Sequence, residues 1–334
     1  MTIEEIEAAC DASRPLDFSR HAMEAPELSL RAMFHPSGFP AEVRTNSADV
    51  LTLYDEMWGM CENEFNTEAI RVDVHVVESD STECPPALST HTMQHTMVFM
   101  ADANNYGVAH FGRNETQMRI SQAALRHKLY VQGYFLETAA AVHIRTRYMT
   151  CVHAACIALN GRGVLLCGDA GAGKSTLSYA CARAGWTYVT DDGSNLLNGD
   201  SDRTVIGNCH KVRFRPTATE LFPELDGQEL APHTVGKPSI EMATATFPNI
   251  ACARTAQVDF IVFLNRRSGE SPRLVSYRED VARYYMRQVH APLDLLAVQY
   301  QAIERLLSVP ILELHYSDLD WAVRRLETLT REGR

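Results

Sequence analysis

A glycine-rich segment that ends in Lys-Ser is the feature of this chain that most restricts its fold. It reads Gly168-Asp169-Ala170-Gly171-Ala172-Gly173-Lys174-Ser175. The glycines let the backbone curl so that successive N–H groups face inward, Lys174 brings a positive charge that can reach β- and γ-phosphates, and Ser175 offers a hydroxyl to Mg²⁺. The segment predicts a nucleotide-phosphate site, and we expect ATP to be held by Gly168, Asp169, Ala170, Gly171, Ala172, Gly173, Lys174, Ser175 and Thr176.

The sequence on both sides of this segment fits the same interpretation. Residues 163–168 form a short apolar run that is typical of a buried parallel strand, and residues 176–184 carry apolar side chains at helical spacing until Gly185. A strand therefore leads into the loop, and a helix leaves it with its N-terminus pointing at the anion. The alternative is a glycine turn between two core elements, which would need no Lys-Ser at its end.

Two adjacent acidic residues supply the second signal. Asp191 and Asp192 follow a predicted strand at residues 186–190, and in sheets of this kind ligands bind at the carboxyl ends of strands. Phosphoryl transfer to an alcohol needs a metal to neutralise charge on the triphosphate and a carboxylate to orient the hydroxyl and receive its proton. One aspartate for each role is the functional interpretation, and a turn whose carboxylates cap the following segment is the alternative.

Motifs of other nucleotide-binding enzymes are missing from the sequence. Residues 258–265 predict another core strand, but it ends in Asn265-Arg266-Arg267 and not in the acidic residue that a motor-type ATPase uses for Mg²⁺. The guanine-reading Asn-Lys-x-Asp motif does not occur either, so an ordinary ATPase or GTPase is disfavoured. Five basic residues could reach the γ-phosphate or an anionic substrate: Arg213, Arg266, Arg215, Lys237 and Arg254. Arg213 and Arg266 are the first candidates, because they lie beside strand-like segments.

Composition and charge exclude further classes. With 334 residues, 46% hydrophobic and 22% charged, the chain is long enough for two folded domains. Its net charge of −11 argues against a general affinity for nucleic acid or anionic membranes, because both select basic surfaces. No apolar run approaches membrane-spanning length, and the acidic N-terminus lacks the pattern of a signal peptide. We therefore expect a cytoplasmic protein.

The cysteines predict no disulfide framework. There are 9 of them, scattered singly and without CxxC spacing, which is typical of reduced and buried small side chains. A metal site formed by Cys84, His91 and His95 is the alternative. It is the weaker one, because the ligand count stays below four and no second pair follows.

The rest of the sequence predicts two domains. Residues 1–130 predict a smaller α+β domain with an irregular arm over the first forty residues, a short helix near its start, a helix from a Ser47 cap to Trp58, and strands at 70–77, 96–101, 106–111 and 116–121. Residues 131–334 predict the P-loop domain, with a helix at 134–147, a strand at 151–159 that contains His153, and C-terminal helices at 292–307 and from a Ser317 cap to Leu329.

These motifs together resemble the kinase domain of HPr kinase/phosphorylase and its relatives, whose fold is that of phosphoenolpyruvate carboxykinase. The resemblance covers residues 150–195 well, and it rests on His153, Gly161-Arg-Gly163, the glycine-rich loop, Ala184-Gly-Trp and Thr190-Asp-Asp192. It implies that Lys174 holds the phosphates and that Ser175 and Asp192 serve the Mg²⁺. It also implies that Asp191 is the base, which becomes an acid in the reverse direction, and that His153 lines the phosphate pocket.

The resemblance is that of a diverged member of this family. Residues 207–216 stand where the HPr enzymes carry a Glu-Ile-Arg-Gly signature, and the metal-supporting glutamate is not evident, so the resemblance does not imply specificity for HPr. Residues 213–216 and the ending at 313–320 look more like HPr-kinase-like proteins, some of which phosphorylate seryl hydroxyls on ribosomally made peptides. The implied fold class is α/β: a P-loop kinase domain of the HPr kinase and phosphoenolpyruvate carboxykinase type, preceded by a smaller α+β domain.

The sequence thus predicts an ATP- and Mg²⁺-dependent kinase that transfers the γ-phosphate to a hydroxyl, that of a serine in a peptide or protein. Catalysis is assigned to Asp191, Asp192, His153 and Lys174, and acceptor recognition to residues 1–130. Two alternatives stay open: a small-molecule hydroxyl kinase on the same scaffold and a non-catalytic nucleotide-binding regulator. The expected partner is a peptide, protein or small-molecule alcohol, with no nucleic acid and no membrane, and a homo-oligomer is left open.

Overall fold

The structure is a computed structural model with a mixed α/β architecture, and it divides into two compact units, Met1–Tyr148 and Met149–Arg334. It describes residues 8, 27–93, 95–199, 202–230, 238–267, 269, 271–288 and 293–333. The short helix predicted near the start of the chain falls almost entirely outside these residues, and so does Lys237. Within the described part, no helix is both long and apolar enough to cross a membrane.

Unit 1 is built on a 7-stranded sheet with the strand order β1-β2-β3-β7-β6-β5-β4. Its strands are β1 (Leu30–Phe34), β2 (Ala41–Thr45), β3 (Ile70–Val77), β4 (Ser89–Met93), β5 (Thr96–Asp102), β6 (Asn105–His110) and β7 (Glu115–Ser121). Strand β3 runs parallel to both β2 and β7, and the other pairs are antiparallel. Helix α1 (Ala48–Trp58) connects β2 to β3, as a parallel pair requires.

Two predictions for unit 1 need correction. Ser47 stands at the position before α1, but its side chain makes no capping hydrogen bond. The predicted irregular arm contains β1, which pairs along its whole length with β2. The backbone hydrogen bonds to β2 and the burial of Phe34 stabilise this strand. The sequence signal for β1 is weak, since its other side chains are at most half-buried.

A series of short helical segments runs from the end of β7 to Tyr148. The segments are α2 (Gln122–Leu125), α3 (Lys128–Val131), a π-helical stretch (Gln132–Leu136), α4 (Glu137–His143) and a second π-helical stretch (Ile144–Tyr148). This segment packs on the sheet of unit 1: the Thr116 hydroxyl of β7 donates to the Ala139 carbonyl at 2.8 Å and lies 2.8 Å from Nε2 of His143. The compact unit therefore ends after Tyr148, later than the boundary at 130 that the sequence predicts.

Unit 2 holds the remaining elements. Its strands are β8 (Met149–Val152), β9 (Ala154–Leu159), β10 (Arg162–Cys167), β11 (Thr187–Thr190), β12 (Ser194–Leu197), β13 (Thr204–Ile206), β14 (Lys211–Phe214), β15 (Ile240–Ala243), β16 (Ala251–Cys252), β17 (Thr255–Arg266), β18 (Arg273–Ser276) and β19 (Ile311–Tyr316). Its helices are α5 (Lys174–Arg183), α6 (Glu279–Met286), α7 (Leu293–Leu306) and α8 (Leu319–Glu332).

The large sheet of unit 2 has helices on both faces. Its strand order is β16-β11-β9-β10-β17-β13-β12-β8, with β19 added on β17 and β18 on β19, while β14 and β15 form a separate pair. Neighbouring side chains of β10 point to opposite faces, as the pleat dictates. Leu165 packs in a core with side chains of α6 and α7, and Val164 packs in a core with side chains of α5 and α8.

Residues 151–159 do not form one strand, contrary to the prediction. Strand β8 ends at Val152 and pairs with β12, whereas β9 begins at Ala154 and pairs with β10 and β11. His153 is the bend at which the chain passes from one part of the sheet to the other. The predicted cap of the last helix is also wrong: Oδ1 of Asp318, not Ser317, accepts the Trp321 N–H at 2.6 Å at the start of α8.

Candidate active site

The residues that the sequence predicts for the site come together at one edge of the large sheet. Strands β10 and β11 both run antiparallel to β9, so their carboxyl ends share an edge with the amino end of β9. The glycine-rich loop follows β10 at Gly168, Asp191 follows β11, and His153 directly precedes β9. This edge therefore collects the loop, the two aspartates and the histidine.

Three glycines of the loop have positive φ angles. Gly168, Gly171 and Gly173 have φ of 144°, 94° and 101°, which side-chain-bearing residues rarely adopt. A Cβ atom on Gly173 would also lie 2.8 Å from the hydroxyl of Tyr316. Helix α5 starts directly after Gly173, and this N-cap residue has no side chain that could cap the first N–H groups of the helix. These groups are therefore available to an anion.

Lys174 is buried at the base of the loop, with 7% of its surface exposed. Its Nζ atom lies 2.6 Å from the Gly168 carbonyl oxygen, 3.0 Å from Nε2 of His153 and 3.3 Å from the Asp169 carbonyl oxygen. An ammonium group has three donors and no acceptor, so all of its donors are used inside the protein. A phosphate must displace one of these acceptors to reach Lys174.

His153 connects this lysine to Asp192. Since an ammonium can only donate, Nε2 of His153 accepts from Lys174, and the ring proton lies on Nδ1. Nδ1 is 3.1 Å from Oδ1 of Asp192 and donates to it. This hydrogen bond lowers the pKa of Asp192, and the charges of Lys174 and Arg213 lower it further against the cost of desolvation. Asp192 is thus held as a carboxylate with a largely exposed side chain.

Asp191 is in a different environment from its neighbour. It is only 8% exposed, and its Oδ2 accepts the backbone N–H of Arg213 at 3.0 Å. Burial raises the pKa of Asp191, although hydrogen bonds from Arg213, Ser175 and Tyr188 act in the opposite direction. A carboxylate with a raised pKa is a better proton acceptor than an ordinary aspartate. The two adjacent carboxylates are therefore suited to different tasks.

The oxygen atoms at this edge fit a magnesium ion that is bound together with phosphates. Mg²⁺ prefers hard oxygen ligands and is usually held by one or two carboxylates plus substrate phosphates, and here Ser175 and Asp192 offer such oxygens. Among the described residues, no three His, Cys, Asp or Glu side chains gather as a self-sufficient metal site. The alternative set of Cys84, His91 and His95 does not form one either, as far as the described residues show.

The structure adds Tyr285, on α6, which the sequence does not single out. Its hydroxyl oxygen lies 3.2 Å from the Gly168 N–H, 2.8 Å from the Gly168 carbonyl oxygen and 2.9 Å from the His153 carbonyl oxygen. The pKa of the Tyr285 hydroxyl is raised to about 12, mainly by burial, so the hydroxyl keeps its proton at neutral pH. Tyr285 thus joins the first residue of the loop to the histidine backbone.

Replacing Tyr285 with Phe should weaken ATP binding by about tenfold, the equivalent of one hydrogen bond lost from the loop. Titration calorimetry with ATP and Mg²⁺ measures this change. The matched control is Tyr277→Phe, because both tyrosine rings pack on Phe263, with centroids 5.3 and 4.3 Å away, while no hydroxyl contact of Tyr277 is seen among the described residues. Equal affinity in the Tyr285 variant and the control contradicts this role.

Among the basic candidates that the structure describes, Arg213 makes a direct contact with an aspartate of the site. Its backbone N–H binds Asp191, and its guanidinium Nε lies 2.9 Å from Oε1 of Glu241. Arg215 directly follows β14, Arg254 precedes β17 at its amino end, and Arg266 ends β17. Arg213 is therefore the arginine with a demonstrated contact to the predicted base.

Comparisons with known proteins leave the family unassigned. No protein-family model matches the chain, and no curated protein matches its sequence. A solved structure with some likeness is that of the Hpr(Ser) kinase/phosphatase from Coxiella burnetii, which is 19% identical over 55% of this chain and 96% of that one, with a TM-score of 0.29. A TM-score this low does not establish a shared fold, so the family resemblance stays a prediction.

Proposed function

We propose that the protein is an ATP- and Mg²⁺-dependent kinase that transfers the γ-phosphate to the hydroxyl of a serine in a peptide or protein. The observation that carries this proposal is the pair of adjacent carboxylates with opposite pKa shifts beside a glycine-rich loop and its buried lysine. Asp191 is buried against Arg213, whereas Asp192 is exposed and held by His153. Two aspartates that only capped the following segment would not need such different environments.

Each group has a task in this reaction. The N–H groups of the loop and the ammonium of Lys174 bind the phosphates of ATP, and Ser175 and Asp192 hold Mg²⁺, which neutralises charge on the triphosphate. Asp191 orients the acceptor hydroxyl and takes its proton as the new oxygen–phosphorus bond forms and the bond to the leaving ADP breaks. His153 accepts a hydrogen bond from Lys174 and donates one to Asp192, and it thereby fixes the positions of these two side chains relative to each other.

Transfer of labelled phosphate from ATP tests the proposal. We expect the label to enter serine-containing peptides in the presence of Mg²⁺ and not to enter without it. Label that enters free serine or a metabolite extract while peptides stay unlabelled would identify a small-molecule kinase. Tight ATP binding with no transfer to either pool would identify a nucleotide-binding regulator and overturn the kinase assignment.

A fragment of residues 149–334 should keep the ATP affinity of the whole chain, because all of the predicted phosphate and metal ligands belong to unit 2. We propose that unit 1 contributes to acceptor selection, so the fragment should lose most of the transfer to the acceptor. Calorimetry and label transfer measure the two properties separately. A folded fragment without ATP affinity contradicts the location of the site, and unchanged catalytic efficiency contradicts the role of unit 1.

A further inference from the structure

A row of basic side chains runs along strand β14. Lys211, Arg213 and Arg215 are exposed at every second position, and the alternating residues Val212 and Phe214 are buried. Because side chains of a strand alternate between its two faces, Lys211 and Arg213 project from the solvent side of β14, and Arg215 continues the alternation directly after it. Consecutive members are about 7 Å apart along the chain, the spacing of alternate residues in any extended peptide. We call these three residues the basic row.

The basic row lies directly beside the predicted catalytic base. The backbone N–H of Arg213 donates to Asp191, and the Tyr188 hydroxyl of β11 donates to the Lys211 carbonyl at 3.0 Å. The charge of Arg213 also contributes to the lowered pKa of Asp192. Strand β14 is thus fixed to the carboxyl end of β11, where the acceptor hydroxyl has to be placed.

The row carries an excess of positive charge in a chain whose net charge is −11. Glu241, on β15, pairs with both Lys211 and Arg213, so one carboxylate faces two cations. The side chains of Lys211 and Arg213 remain 52% and 53% exposed. For Arg215, no ion pair with a described residue is seen. Glu241 alone therefore does not balance the basic row, whose remaining positive charge is exposed beside the two aspartates of the site.

We propose that the basic row binds acidic side chains of the acceptor, so that the phosphorylated serine lies in an extended peptide segment with Asp or Glu on alternate positions around it. This inference rests on the proposed kinase function. Charge complementarity and the matching spacing of alternate residues support a peptide as the occupant. Lys174 and the loop already serve the phosphates of ATP, so Lys211 and Arg215 are left for another anion.

Binding of labelled peptides tests this inference without requiring the natural acceptor. The probes are two fluorescein-labelled nonapeptides with a central serine, one with Glu at alternate positions and one with Gln at the same positions. We expect the Glu peptide to bind the ATP-loaded protein at least about fivefold more tightly at low salt, and the advantage to shrink at high salt. Equal affinity of the two peptides overturns the inference.

A variant with Lys211→Ala and Arg215→Ala should lose the preference for the Glu peptide while its affinity for ATP stays within about twofold of the wild type. The matched control is Lys128→Ala with Arg31→Ala, two exposed basic residues of unit 1. If the wild type prefers the Glu peptide and the variant with Lys211→Ala and Arg215→Ala keeps that preference, the inference is overturned. A single-stranded oligonucleotide that binds as tightly as the Glu peptide also overturns it, since the row would then be a general anion surface.

These results separate the inference from the function on which it rests. A wild-type protein that does not bind ATP or transfer its phosphate contradicts the kinase proposal. A wild-type protein that phosphorylates serine peptides without regard to their charge leaves the kinase proposal intact and removes the role of the basic row. The peptide comparison uses the unaltered chain, so the test does not depend on how well the row variant folds.

Discussion

Replacing Asp191 with Asn should slow phosphoryl transfer by about a hundredfold or more and leave ATP binding nearly unchanged. The amide can still accept the backbone N–H of Arg213 and orient a hydroxyl, but it cannot take a proton. ATP affinity should hold because the predicted phosphate ligands belong to the loop and not to Asp191. Single-turnover transfer and calorimetry on one preparation separate the two effects.

Stability provides an internal check on the Asp191→Asn variant. The pKa of Asp191 is raised in the folded protein, so ionisation of this carboxyl disfavours the folded state above the pKa of the unfolded chain. The neutral amide of the variant carries no such cost, and its Tm at pH 7 should therefore equal or exceed that of the wild type. Asp202→Asn, in an exposed turn, is the matched control for the loss of a charge. Near-normal transfer in the Asp191 variant would show that Asp191 is a structural residue.

The same raised pKa sets the direction of the pH dependence. The base must be ionised to accept a proton, so kcat/KM should fall as the pH is lowered through the pKa of Asp191. Because burial raises that pKa, the fall should begin at a higher pH than an ordinary aspartate would give. A profile that stays flat down to the ordinary range of aspartate contradicts the assignment of Asp191 as the base.

The grouping of the candidate-site residues could be predicted because most of them are close in sequence. The loop, Lys174, Ser175 and the two aspartates all fall between 168 and 192, on consecutive elements that share one edge of the sheet. Glycines and a lysine at fixed spacing indicate a local backbone conformation, and this indication does not depend on tertiary packing. The expectation for the loop therefore depends on short-range geometry alone.

The bend at His153 could not be predicted from the sequence. The apolar run on both sides predicts one continuous strand, yet the chain bends at His153 between two separately paired strands. Strand pairing over long sequence distances decides where a strand breaks, and residue propensities contain little of that information. The bend is what places the imidazole between Lys174 and Asp192.

Tyr285 could not be predicted from any motif. It lies 117 residues from Gly168 along the chain, and its ring is part of an amphipathic helix whose pattern reports only packing. The strand order of unit 1 is equally hidden, since β7 inserts next to β3 and separates it from β4. Hydrophobic periodicity predicts that these strands exist but not which strand each one pairs with.

Replacing Lys174 with Ala should weaken binding of ATP and Mg²⁺ by about a hundredfold, because charge-assisted contacts to the phosphates are lost. Lys174 is the buried cation of the loop, and its donors converge on the positions of Gly168, Asp169 and His153. Calorimetry with ATP and Mg²⁺ gives the affinity directly. Lys128→Ala, which removes an exposed lysine of unit 1, should leave the affinity unchanged.

Loss of the lysine also removes one donor from each of three acceptors, so the effect of the lost charge has to be separated from the effect of a distorted loop. Lys174→Met keeps the length of the buried stem and removes the ammonium, and it should lose as much ATP affinity as the Ala variant. Adenosine has no phosphates, so its weaker binding should be the same in the wild type and both variants. Retained ATP affinity in the Met variant would contradict the phosphate contact, and an equal loss for adenosine would show that the variants had lost the site itself.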